Sequence, residues 1–437
     1  EIAANDAQRE EWVRLFAIDE ITGGDMFTEP YSVPLTVEFL KQNPFLVLDT
    51  AFFSTEFKEQ LVASIDNLDE KLDGLLIHSE NFQAIRLLQQ KYQNKVKCIY
   101  IDPPYNAKSS EIIYKNNFKH SSWLSLIENR ITASLPMLTD HPVYICAIDE
   151  VEQERLGFLL ASIFDESQYG KTAVSIVHNP SGQQGDNFSY THEFAYFVYN
   201  IPGRSIAEQF RDNPEEWDKR NFRDVTGEES LRTAAKTCFY PILIKGDKVI
   251  GFGEVCPDDY HPPVNVKRDD GVIEVYPVDP QGIERKWRFG RNTVEEIKDQ
   301  LFVNYISSRK VYDIQRLKKS FNYKSCWQAP KYSANNYGTQ VLNQMFYEAP
   351  FSYPKSLYTV IDCITAGLNN DNNATVMDYF AGSGTTGHAV INLNREDGGH
   401  RKYILVEMGE YFDTVTKPRV QKVIYSMDTD NQKGWKD

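Results

Sequence analysis

The sequence predicts an α/β fold, a doubly wound and mostly parallel sheet, with a β-containing inserted domain. Three observations carry this: apolar runs that each end in a polar residue, helical patterns between them, and a middle third of different character. The runs are GLLI (74–77) into HSEN, VKCIYI (96–101) into Asp102, PVYICAI (142–148) into Asp149, ATVM (374–377) into Asp378, and KYILV (402–406) into Glu407. Strands this continuously apolar are those covered on both faces. Amphipathic stretches at 82–92, 123–138 and 151–164 supply the covering helices. In such sheets ligands sit at the carboxyl ends of the strands, which is where these acids fall.

From 201 to 332 the pattern changes to short β-like pieces, turns and charges, such as KGDKVIGFGEV, GVIEVYPVDPQG and RKWRFGRN. This predicts an inserted domain at 201–332 between two blocks of one α/β domain, 71–200 and 333–437. Residues 1–70 read as an acidic, helical N-terminal segment with 4 Lys/Arg against 15 Asp/Glu. Most of the chain's net charge of −15 therefore lies there, and it does not describe the rest of the surface. The stretch 305–324 runs the other way, with Arg309, Lys310, Arg316, Lys318, Lys319 and Lys324 against Asp313 alone, interleaved with tyrosines and Phe321. Cations alternating with aromatic rings are the footprint of a phosphate-binding surface, with a solvated helix face as the other reading of this segment taken alone.

No run approaches the length of a membrane-spanning helix, and the first residues, EIAANDAQREEW, are polar and acidic with no leader pattern. Six cysteines without a CxxC pair suit reduced thiols in a cytoplasm. Eight histidines form no HExxH cluster, so no metal site is expected.

Asp378-Tyr-Phe-Ala-Gly-Ser-Gly-Thr-Thr-Gly387 follows a predicted strand and opens a predicted helix. Gly382, Gly384 and Gly387 satisfy G-x-G-x-x-G, and Glu407 ends the next strand. That is a nucleotide-binding turn: the glycines admit a ligand to the backbone, and the acid accepts hydrogen bonds from ribose hydroxyls. No lysine follows the last glycine, so it is not a P-loop. A dinucleotide or S-adenosylmethionine would fit. For the latter, Asp378 could meet the ammonium, and the loop amides and Thr385 the carboxylate.

The stretch IDPPYN (101–106) chooses between them. The lone pair of a base amine is delocalised into the ring, so attack on a methyl sulfonium requires its two N–H groups to be held. The Asp102 carboxylate and the Pro103 carbonyl can accept them, Pro103 and Pro104 fix the turn, and Tyr105 offers a ring for an extruded base to stack on. This is the pattern of an amino-methyltransferase.

Together IDPPYN, DYFAGSGTTGHAV, LVEMGEYF and FSYPKSLYTV resemble the motifs of β-group amino-methyltransferases. More narrowly, the chain resembles the modification (Mod) subunits of type III restriction–modification systems, DNA adenine-N6 methyltransferases. LLIHSENFQAIRLL and THEFAYFVYN extend the likeness over nearly the whole chain. The resemblance implies a Rossmann-like methyltransferase fold with permuted motif order. It implies Asp102, Pro103, Pro104 and Tyr105 as the catalytic tetrapeptide, Phe380, Gly382 and Gly384 as the cofactor loop, and Glu407 as the ribose acid. Asn81 falls near the cofactor adenine, and Lys355 borders its methionine part. It further implies that the insertion recognises the target in double-stranded DNA, that the protein is a bacterial cytoplasmic homodimer, and that a restriction subunit with helicase and nuclease functions could join it. Such proteins usually continue further at the C-terminus than GWKD.

A cytosine-N4 enzyme would use the same amine logic and stays open as the alternative. A cytosine-C5 enzyme would need a nucleophilic cysteine, usually in a Pro-Cys pair, which is absent. An NAD-dependent oxidoreductase would use the glycine loop but leaves Asp102–Tyr105 unexplained. A DNA-binding subunit with a dead site is opposed by the complete set Asp102, Tyr105, Gly382 and Glu407.

Overall fold

A computed structural model describes residues 1–23, 28–106, 120–184, 187–211, 217–346 and 351–426. The chain divides into two compact units, one of 1–207 with 323–437 and one of Glu208–Asn322.

The first unit is built on an eight-stranded sheet. Its strands are β1 (Gly74–His78), β2 (Val96–Ile101), β3 (Leu138–Ile148), β4 (Tyr169–Val177), β5 (His192–Asn200), β6 (Cys326–Trp327), β7 (Thr375–Asp378) and β8 (Lys402–Glu407). Their order is β1-β8-β7-β2-β3-β5-β4-β6. Neighbours pair in parallel except β5, which runs antiparallel to both β3 and β4. The C-terminal strands β7 and β8 thus slot between the N-terminal strands β1 and β2, so the two sequence blocks form one sheet.

Helices cover both faces. On one lie α2 (Asn81–Leu88), α3 (His120–Ser134) and α4 (Gln153–Ile163), packing Ile85, Ile127, Ile131 and Leu156 onto Ile99, Ile101, Tyr144 and Ile148. On the other lie α5 (Leu357–Leu368), α6 (Thr385–Asp397) and α7 (Thr416–Tyr425), packing Val360, Ile364, Val390 and Val420 onto Cys98, Tyr100, Val143 and Ile145. Alternate residues of β2 and β3 therefore enter opposite cores, and this two-sided burial accounts for their unbroken hydrophobicity. Burying a leucine- or isoleucine-sized side chain in either layer contributes about 1.5–3 kcal/mol.

The N-terminal segment is helical in parts: α1 (Asp6–Phe16), with Asn5 capping the amide of Gln8, and shorter turns at Val37–Gln42 and Thr55–Ala63. Trp12, Leu15, Phe16 and Phe39 form a third cluster with Leu342, Met345, Val423 and Tyr425. The Phe16 and Tyr425 rings stack at 4.3 Å. The acidic preface thus packs onto α7.

The second unit holds a four-stranded sheet from 242 to 275, and a three-stranded sheet of Asp218–Asn221, Leu301–Ile306 and Val311–Lys318. A two-stranded ladder pairs Glu208–Phe210 with Ser320–Asn322. Phe222, Tyr240, Trp287, Val294 and Ile314 form its own core. It is narrower than the expected 201–332. Residues 323–332 return to the first unit because Cys326–Trp327 pairs with β4, and Trp327 stacks on Tyr332 at 5.4 Å within the main core. Lys324 accordingly leaves the second unit.

Candidate functional site

Four adjacent strands, β8, β7, β2 and β3, each end in a carboxylate: Glu407, Asp378, Asp102 and Asp149. Parallel pairing sets all four at the same edge of the sheet. Burial pushes Asp378 and Asp149 up to about 7. Burial also raises Asp102, against the opposing pull of Lys355.

Two of these acids shape the glycine loop. Asp378 Oδ1 accepts the Phe380 amide at 3.0 Å and Oδ2 the Thr386 hydroxyl at 2.6 Å. Glu407 Oε2 accepts the Gly382 amide at 2.8 Å, and Oε1 accepts the Met408 and Gly409 amides at 2.8 Å each. The Ala381 amide goes to the Val406 carbonyl and that of Gly384 to the Ala381 carbonyl. Gly382 and Gly384 have φ of 51° and 84°, a left-handed path that favours glycine.

The amides of Phe380, Ala381, Gly382 and Gly384 thus all bond within the chain. Thr385 is likewise turned inward: its hydroxyl and that of Ser383 each accept from the fully buried Arg419 at 2.8 Å. Arg419 also approaches His388 Nδ1 at 3.4 Å, and burial pulls it down to about 9. A pyrophosphate would meet carboxylates and spent amides here. A ligand carrying a sulfonium and an ammonium would meet acceptors, because Asp378 and Glu407 retain lone pairs beyond those in use. The residues fit S-adenosylmethionine.

Asn81 opens α2 and joins the loop from below. Its amide donates to the Tyr379 carbonyl at 3.2 Å, while its oxygen accepts from Arg130, which also holds Glu80 at 2.7 Å. Phe380 is buried beside it.

The tetrapeptide follows β2 directly. The Trp123 indole donates to the Pro104 carbonyl at 2.7 Å, pinning the turn to α3. Tyr105 donates its hydroxyl to Glu193 Oε2 at 3.1 Å. Lys355 lies 3.4 Å from Asp102 Oδ1 and hydrogen-bonds both Glu193 and the Tyr105 hydroxyl. Its ammonium is 4.4 Å from the Tyr105 ring centroid. Lys355, expected to border the methionine part of a cofactor, lies against Asp102, Tyr105 and Glu193. Glu193, buried on β5, was missed altogether. It sits 88 residues from Tyr105, and its only sequence signal is an acid inside an apolar strand, THEFAYFVYN.

In the second unit the basic stripe divides. Arg309 and Lys310 are exposed in the turn between two strands. Arg316 faces the core side of its strand, hydrogen-bonded to Gln300 at 2.9 Å and 4.7 Å from the Phe289 ring. Lys318 lies 5.2 Å from Phe321 and Lys319 4.9 Å from Trp217. Register sets Arg220 directly opposite Arg316, and Arg211 stacks on Phe321 at 4.0 Å. The Arg220 guanidinium is paired with Asp218 at 2.8 Å. Arg211, Trp217 and Arg220 escaped the sequence reading because they lie about a hundred residues upstream of the stripe.

Residues 96–417 match the model of a family described as DNA methylase (N6/N4 type). The chain is 27% identical over 414 residues to the EcoPI Mod subunit, a type III restriction–modification enzyme of Escherichia phage P1, covering 80% of this chain and 62% of that one. It is 29% identical over 375 residues to the type II methyltransferase M.KpnI of Klebsiella pneumoniae, covering 80% and 84%. It is 24% identical over 367 residues to the StyLTI Mod subunit of Salmonella typhimurium, covering 76% and 52%. The chain thus spans about half to three-fifths of the length of these two Mod subunits.

Proposed function

The chain belongs to the DNA methylase family, and from that premise we propose that it transfers a methyl group from S-adenosylmethionine to the N6 amine of an adenine flipped out of double-stranded DNA. The observation that carries this reading is the placement of Asp102 and the glycine loop at the carboxyl ends of the adjacent parallel strands β2 and β7. A donor held by the loop and an amine held by the tetrapeptide would share one edge of the sheet.

S-adenosylmethionine supplies an electrophilic methyl on a sulfonium whose leaving group is a neutral thioether. The acidic strand ends attract that cation, and Asp378 and Glu407 would hold its ammonium and ribose, with Asn81 and Phe380 bordering its adenine. Asp102 accepts one N–H of the target amine, and the Pro103 carbonyl the other, which localises the nitrogen lone pair towards the methyl. Asp102 is also a base within reach of the proton that the methylated amine must lose. Tyr105 stacks on the extruded base, its ring fixed by the hydrogen bond to Glu193.

The Glu208–Asn322 unit is read as the target-recognition domain. Arg220, Lys318 and Lys319, with Arg211, Trp217 and Phe321, offer cations interleaved with rings, the chemistry of a phosphate backbone. Arg309 and Lys310 sit at the opposite end of their hairpin, and Lys324 lies outside the unit. Two of the relatives are named as Mod subunits of type III restriction–modification enzymes, which supports a partnership with a restriction subunit; a bacterial cytoplasmic homodimer is part of the same proposal. Among the described residues no helix is long and apolar enough to cross a membrane.

The test is to incubate the purified protein with mixed-sequence duplex DNA and methyl-labelled S-adenosylmethionine, then digest to nucleosides. Label in N6-methyladenine supports the reading; label in N4-methylcytosine alone, or none, refutes it.

A further inference from the structure

Among the described residues Lys355 is the cation set against the catalytic carboxylate, yet its contacts are uneven. It hydrogen-bonds Glu193 and the Tyr105 hydroxyl. Its distance to Asp102 Oδ1 is 3.4 Å, an ion pair too long for a good N–H···O hydrogen bond. Asp102 therefore feels the ammonium's field through a longer contact than the one Glu193 makes. That separation matters, because a carboxylate that must accept an amine's N–H needs both its charge and an open acceptor position. All three charged side chains are largely buried, with 12%, 26% and 7% of Lys355, Asp102 and Glu193 exposed. Water screens them little, so small displacements change their coupling.

We propose that Glu193 is a positioning residue for methyl transfer: it draws Lys355 and the Tyr105 hydroxyl to itself, so that the acceptor positions of Asp102 stay open to the target amine. Glu193 touches neither the target base nor the cofactor in this account; it acts through Lys355 and Tyr105. Without its charge, Lys355 would settle onto Asp102 and compete with the amine for the same oxygens. Without Lys355, Asp102 would face the negative charges of Glu193 and Asp378 alone in a buried setting. Burial already raises the Asp102 carboxyl, Lys355 opposes that, and Glu193 adds to it. Glu193 itself is buried, yet the ammonium and nearby His178 hold its carboxyl below the usual range.

These roles predict opposite movements of one observable. The acid limb of the pH profile of kcat reports the ionisation of Asp102 when cofactor and DNA are saturating. Glu193→Gln removes a negative neighbour, so the limb should move to lower pH, while kcat on the plateau falls about tenfold or more because Lys355 now occupies Asp102. Lys355→Met removes the positive neighbour, so the limb should move to higher pH by roughly one unit. S-adenosylmethionine affinity, measured by calorimetry, should stay within about twofold for Glu193→Gln. Asp149, Asp378 and His178 also titrate near this cluster, so Asp149→Asn and His178→Gln serve as controls whose profiles should keep the wild-type limb.

Glu193→Asp retains the charge and should keep the limb in place with a smaller loss of kcat. If Glu193→Gln does not fold, Lys355→Met carries the test with the opposite sign. A limb that stays put in both variants, or that moves the same way in both, overturns the proposal and leaves Glu193 a packing residue. The inference rests on the methyl-transfer reading, and the two failures differ. A wild-type protein that transfers no methyl defeats that reading, whereas an active enzyme with an unmoved limb defeats only this one.

Discussion

Replacing Glu407 by glutamine changes one oxygen for an NH2 group in a place where both carboxylate oxygens already accept backbone amides. The wild-type carboxylate takes three backbone N–H groups, those of Gly382, Met408 and Gly409, each at 2.8 Å. Glutamine has a single carbonyl oxygen. If that oxygen keeps the Met408 and Gly409 amides, the new NH2 faces the Gly382 amide, donor against donor. If it keeps Gly382, two amides are left facing a donor. The first arrangement costs less, and losing one hydrogen bond to a buried charged group is worth about 1.5–3 kcal/mol. The free protein can relieve this by letting the loop relax, but a bound cofactor needs the loop in its closed path, so the cost appears in binding. At about 1.4 kcal/mol per factor of ten, the S-adenosylmethionine Kd should rise roughly ten- to a hundredfold. Because the interaction acts in ground and transition states alike, kcat at saturating cofactor should change little. Isothermal titration calorimetry of Glu407→Gln, with Glu407→Ala beside it, measures this directly. A Kd within about twofold of wild type would show that the clamp on Gly382 does not govern cofactor binding.

Burial holds Asp378 up to about 7, well above its unfolded value. A carboxyl raised in the fold makes the free protein lose stability as pH climbs from about 4 through 7, while a cationic ligand favours the ionised form. S-adenosylmethionine affinity should therefore rise with pH below about 7, by at most about tenfold per unit. Asp378→Asn should flatten that rise and Asp149→Asn should not; calorimetry from pH 5.5 to 8 decides, and an equal slope in Asp378→Asn refutes the assignment. In the second unit, alanine at Arg220, Lys318 and Lys319 should weaken DNA binding and flatten its salt dependence by roughly one unit for each phosphate no longer neutralised. An unchanged slope with intact affinity, read by fluorescence anisotropy, would show that this cluster is a solvated face.

The tetrapeptide and the glycine loop were legible in the sequence because each lies within a few residues of a strand end, and the strands declare themselves by continuous hydrophobicity. Parallel pairing then brings Asp102, Asp378 and Glu407 to one edge, as any doubly wound sheet would. Glu193 was not legible, because it reaches the site only through the antiparallel strand β5, and nothing local distinguishes it from a strand acid facing water. Arg419 was hidden likewise: it is an arginine in an amphipathic helix whose partners, Ser383 and Thr385, lie more than thirty residues upstream. The stripe at 305–324 misled for a different reason. Its cations fall on a turn (Arg309, Lys310), a strand end (Arg316, Lys318) and the chain beyond it (Lys319, Lys324), and Arg220 joins Arg316 through register that no linear reading shows. The insertion's end was overrun because β6 is two residues long, too short to carry any periodicity.

Asp102→Ala separates binding from chemistry and so tests the account most directly. Asp102 is assigned to the amine and not to the cofactor, and removing one charge-assisted hydrogen bond from the transition state costs on the order of 3 kcal/mol, with the open acceptor gone as well. Calorimetry and label transfer to duplex DNA, run on one preparation, should find S-adenosylmethionine affinity within a few-fold of wild type and methylation abolished. Near-normal turnover in that variant would contradict the account, because the carboxylate at the end of β2 would then not be what holds the target amine.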